Sequence, residues 1–128
     1  MNFDRMYLVW ALTYAAVGMG LGVFMGASHN HSQYITHAHI LLVGFVVSLI
    51  YGVIHKLWLD EKTIGLARVQ FIVHQAGTIT MVVGLLLLYG HVVTEAQMDP
   101  ILAVASITVL SGALIMLFMV LKTNTVKT

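Results

Sequence analysis

Long apolar runs alternate along this chain with short polar breaks. Four runs of about 20 residues, the length that crosses a bilayer core as a helix, extend from Met6 to Ala27, Ile35 to Leu57, Leu66 to Tyr89 and Ile101 to Leu121. The pattern predicts an all-α protein, a four-transmembrane-helix bundle forming one domain over residues 1–128, with no linker, low-complexity segment or internal repeat. The first run is longer than the apolar centre of a signal peptide and is preceded by Asp4 and Arg5, so it reads as a retained helix.

Within the runs the polar positions are periodic. Counting about 100° per residue, Gly44, Ser48, Tyr51 and His55 return close to the azimuth of His37, whereas Val46 and Ile50 return near that of His39. In the third run Gln70, His74 and Thr78 stand four apart with Gln75 beside them, a face expected to point into the bundle. A hydrogen bond from His74 to a neighbouring helix is the favoured reading there, with a proton relay through Gln70 and Thr78 as the alternative. Gly18, Gly22 and Gly26 form a ridge on the first helix of the kind that lets helices approach in lipid. The fourth run carries only Ser106, Thr108 and Ser111 as polar side chains and reads as scaffold, starting with Asp99 as cap and Pro100 in the first turn.

Composition agrees with the pattern. Hydrophobic residues make up 59% of the 128 and charged residues 9%, against about a quarter charged in soluble domains. The absence of cysteine excludes disulfides, thiolate ligands and iron–sulfur clusters. All the basic residues, Arg5, Lys56, Lys62, Arg68, Lys122 and Lys127, fall near the termini or the central loop. By the positive-inside rule both termini and the loop from Lys56 to Gly65 are expected in the cytoplasm of a bacterial-type inner membrane, with Ser28 to Tyr34 and Gly90 to Asp99 outside. Tyr34 and Tyr89 are then expected at the outer interface, and Tyr7, Trp10 and Trp58 at the inner one. The lipid bilayer is the expected partner, and nucleic acid is not.

The chemistry concentrates at His37-Ala38-His39, near the expected outer face. An ionisable ring at membrane depth calls for a functional explanation. Two residues apart on a helix means about 200° of rotation, so the rings leave opposite flanks and serve two centres rather than one. A haem needs axial nitrogens, apolar walls and a small residue where the ring edge passes the backbone; His37 and His39 supply the nitrogens and Gly44 the room. His74 lies too deep to share such a site, which leaves a neighbouring copy of the second helix as the source of the second ligand. Copper or zinc bound by the outer histidines, including His29 and His31, is the competing reading, and interfacial histidines bonded to loop carbonyls are the third. His55 and His91, at helix ends, are assigned no role.

The run Thr36-His37-Ala38-His39-Ile40-Leu41-Leu42-Val43-Gly44-Phe45 resembles the histidine-bearing helices of the catalytic subunit of haem–copper oxidases and nitric-oxide reductases. In that family three arcs of four helices surround a pseudo-threefold axis, and the second helix of each arc carries metal ligands. One of those helices bears a His-x-His pair that reaches two haems. The resemblance implies that this chain matches one arc and assembles as a homotrimer, with each b-type haem held by His37 of one protomer and His39 of the next. Iron with two histidine ligands transfers electrons, so an electron-transfer protein facing a quinone or a soluble carrier is expected. A haem-based gas sensor is the outcome if one histidine lets go. No complete oxidase or reductase active site is recognised.

Overall fold

In a computed structural model, described for residues 2–60 and 64–123, every segment of regular structure is helical. The helices are α1 (Phe3–Ser28), α2 (Tyr34–His39), a π-helical segment (Ile40–Val46), α3 (Val47–Leu57), α4 (Ile64–Tyr89) and α5 (Glu95–Leu121). α2, the π segment and α3 run on as one span, Tyr34–Leu57. With it, Phe3–Ser28, Ile64–Tyr89 and Glu95–Leu121 are each long and apolar enough to cross a membrane. The chain is an integral membrane protein of four spans, each slightly longer than the apolar run that marks it. Lys62 and Lys127, two of the residues behind the expected orientation, lie outside the described residues.

α4 is the central helix. It packs along its length against α5, where Met98, Ala105, Gly112 and Met119 recur every seven residues on the buried face of α5, the repeat of closely aligned helix pairs. Glycine makes the approach close: a Cβ at Gly77 would stand 2.9 Å from a methyl of Val109, and one at Gly84 the same distance from Leu102. α5 touches little else, and Ser106, Thr108 and Ser111 each return their hydroxyl to the carbonyl four residues back. These three polar side chains are thus satisfied within the helix.

The other half pairs α1 with the second span, and here the glycine ridge works within the chain. A Cβ on Gly18 would strike Leu41 at 2.6 Å and one on Gly22 would strike the ring of His37 at 2.9 Å, whereas Gly26 has open space. Two further expectations are corrected. α5 begins at Glu95, not Asp99, because Thr94 and Gln97 form a reciprocal capping box that satisfies the first amides, leaving Pro100 inside the helix. Tyr7 is not interfacial but fully buried, its hydroxyl donating to Gln70 Oε1.

The two ends of the bundle differ. Gln33 Nε2 donates to the carbonyl of Leu86 (3.0 Å), tying the first loop to the end of α4. At the opposite end Asp4 and Lys56 stand 3.9 Å apart. Next to them an aromatic cluster fills the interior, with the ring of His55 stacked between Phe3 and Tyr7 at 5.3 and 5.7 Å.

Candidate functional site

His37 and His39 occupy the last turn of α2, immediately before the π segment. Each is half-buried, and each is oriented by one backbone carbonyl: His37 Nδ1 lies 2.8 Å from the oxygen of Gly18 on α1, and His39 Nδ1 lies 2.8 Å from the oxygen of Ile35, one turn earlier in its own helix. A carbonyl can only accept, so Nδ1 carries the proton in both rings. In the neutral imidazole that leaves the lone pair on Nε2. This is the arrangement in which an outer hydrogen bond fixes the tautomer of a ligating histidine and aims its other nitrogen.

The π segment explains where the rest of the second span points. An i→i+5 ladder takes in an extra residue relative to the α-helix, and such segments concentrate at functional sites. A regular helix would put His37 and Ser48 on one flank. Instead His37 meets α1, whereas Ser48 Oγ faces His74 Nε2 of α4 at 3.1 Å. Ser48, Tyr51 and His55 are all buried, while Val46 and Ile50, on the flank of His39, are exposed.

Gly44 does not offer open room. A Cβ there would stand 2.7 Å from the ring of Tyr14, whose hydroxyl goes on to donate to Gln75 Oε1 at 2.7 Å. The small residue in contact with a candidate ligand is Gly22, on α1, which lies against His37. Gln75 and Gly22 stand on the polar face and the glycine ridge read from the sequence, whereas Tyr14 escaped that reading. The available signal was the seven-residue spacing of Tyr7 and Tyr14, which places both hydroxyls on the α1 face turned to the α4 glutamines.

His74 is fully buried, and its bond to Ser48 is the interhelical contact favoured from sequence. At 1.5 Å rise per residue, Ser48 and with it His74 lie on the order of 10 Å deeper than His39. His29 and His31 are exposed in the first loop, and His29 ends α1 with a left-handed φ of 56°. Among the described residues no three His, Asp or Glu side chains gather into a metal-binding group. Compared with known protein families, curated proteins and solved structures, the chain matches none.

Proposed function

We propose that this integral membrane protein binds b-type haem between copies of itself, through Nε2 of His37 and of His39, and carries electrons across the contact. The observation that supports the reading is the pair of 2.8 Å contacts from Nδ1 to backbone oxygen, which leave the Nε2 lone pair available on two half-buried rings. The carbonyls that hold the rings belong to helices, Gly18 of α1 and Ile35 of α2, and not to the loops that the interfacial reading called for. The two rings stand two residues apart on α2, about 200° around the helix axis, so the two nitrogens serve different centres. His74 is committed to Ser48 at greater depth, so the second ligand of each site comes from another protomer, with a trimer as the closed form favoured by the resemblance to the oxidase helices. Bound haem supplies one-electron chemistry at iron. The chain's own part would be to orient the two Nε2 atoms and to wall the site with apolar helix surface.

The test is the absorption spectrum of the purified protein with metal analysis and a mass measurement of the particle, repeated for His37→Ala and His39→Ala. A red oligomer with sharp reduced-minus-oxidised bands is expected, with low-spin coordination lost in both variants. A colourless or monomeric wild-type protein refutes the reading. So does a variant that keeps the low-spin spectrum.

A further inference from the structure

Deep in the bundle, on the side of α4 that faces α1 and the second span, three polar atoms have no hydrogen-bond partner among the described residues: His74 Nδ1, Gln75 Nε2 and Thr78 Oγ1. Their residues are 0%, 5% and 0% exposed. They occupy just over one turn of one helix, where residues three and four apart are neighbours. A single orphaned polar atom in a membrane interior costs several kcal/mol, so three side by side point to a molecule that satisfies them together. The surrounding bonds are otherwise complete: Gln75 Oε1 accepts from Tyr14, His74 Nε2 meets Ser48, and the neighbouring Gln70 is bonded at both its oxygen and its nitrogen.

The chemistry of the three atoms selects the ligand. Gln75 Nε2 is an amide nitrogen that only donates, so it requires an acceptor and repels a cation. Thr78 Oγ1 both donates and accepts. His74 Nδ1 takes whichever role its Nε2 leaves to it in the contact with Ser48. A ligand that both accepts and donates, small enough for a helix interface and neutral, is water, which typically makes about three such bonds when buried. We propose that an ordered water is held between His74 Nδ1, Gln75 Nε2 and Thr78 Oγ1. The water joins the Tyr14–Gln75 pair and the Ser48–His74 pair, so that α1, the second span and α4 share one hydrogen-bonded network. Toward the Gln33 end the network stops at Met81 and Leu85, which close the interior with Val43 and Ile35.

The experiment is water-to-protein magnetisation transfer by NMR on the intact protein in a bilayer disc, together with thermal unfolding of Thr78→Val and Thr78→Ser. Transfer from water to the Gln75 side-chain amide is expected in the wild type, weakened in Thr78→Val and retained in Thr78→Ser. The sign of the stability change is a second readout. If water bridges the three atoms, Thr78→Val removes one of its bonds and lowers the unfolding midpoint by a few degrees. If the pocket is dry, the same substitution removes an unsatisfied hydroxyl and raises the midpoint. A raised midpoint, or no transfer to Gln75 in the wild type, overturns the proposal. Neither result depends on whether haem is bound.

Discussion

The contact between Gly22 and His37 supports a quantitative prediction. Replacing Gly22 by alanine puts a methyl 2.9 Å from His37 Cε1, whereas carbon atoms settle at about 3.5 Å or more. The ring must therefore retreat by about 0.6 Å. Its Nδ1 lies 2.8 Å from the oxygen of Gly18, and a retreat of that size stretches the contact to about 3.4 Å, past the range of a good N–H···O bond. The weakened bond and the crowding together cost about 1–2 kcal/mol. The gain from removing a helical glycine, about 0.5–1 kcal/mol, offsets part of it. Gly20 is the internal control, since nothing lies within 4 Å of a Cβ built there and Gly20→Ala should show only the gain. The assay is thermal unfolding in one detergent, read beside the absorption spectrum of each variant. Gly20→Ala is expected to be at least as stable as the wild type with an unchanged spectrum, and Gly22→Ala less stable than Gly20→Ala with an altered one. If the two variants coincide in both readouts, the argument that α1 positions His37 is wrong.

Three other perturbations test separate parts of the structure. Deleting Leu42, which is 60% exposed in the π segment, should restore an α-helical ladder and turn the span by about 100°. Because Ser48, Tyr51 and His55 are buried while the histidine pair is half-exposed, the α2 half gives way, and an unchanged His37 imidazole nitrogen shift by NMR would refute this. Tyr7→Phe leaves Gln70 Oε1 unsatisfied in the interior and should cost about 1–3 kcal/mol in denaturant unfolding, with helix content retained. His91 has a left-handed φ of 61°, so His91→Gly should stabilise by about 1 kcal/mol, measured the same way; a destabilised variant would mean that the ring makes an interaction worth more than the strain.

What could be read in advance followed from periodicity. Gln70, His74 and Thr78 at four-residue spacing on one helix declare a buried polar face, and Val46 with Ile50 an outward one, because each helix must hide its polar groups and present its apolar ones to lipid. The departures share a cause in interactions that cross between helices. Tyr7 looks interfacial by position until Gln70, 63 residues away, provides a buried acceptor. Gly44 looks like free space until Tyr14 fills it. The π segment leaves no mark in composition, because it is selected by the conflict between aiming His37 at α1 and Ser48 at α4. The start of α5 is the exception: the Thr94–Gln97 capping box lies within one turn of the chain itself, and it begins the helix ahead of Asp99 and Pro100.

The two histidines are anchored in different ways, and the difference reaches the proposed site. His39 takes its orientation from Ile35 in its own helix and keeps it however the bundle shifts. His37 takes its orientation from Gly18, so it follows α1. In a haem shared between copies, each iron would have one ligand that depends on helix pairing and one that does not. Disturbing α1 should then weaken one axial bond and spare the other. Gly22→Ala is accordingly expected to retain haem while a fraction of it turns high-spin, measurable by electron paramagnetic resonance of the oxidised protein. His39→Ala, by contrast, removes the self-anchored ligand altogether and should empty the site. Equal haem loss in the two variants would show that the rings are held in equivalent ways, against the asymmetry that their two carbonyl partners impose.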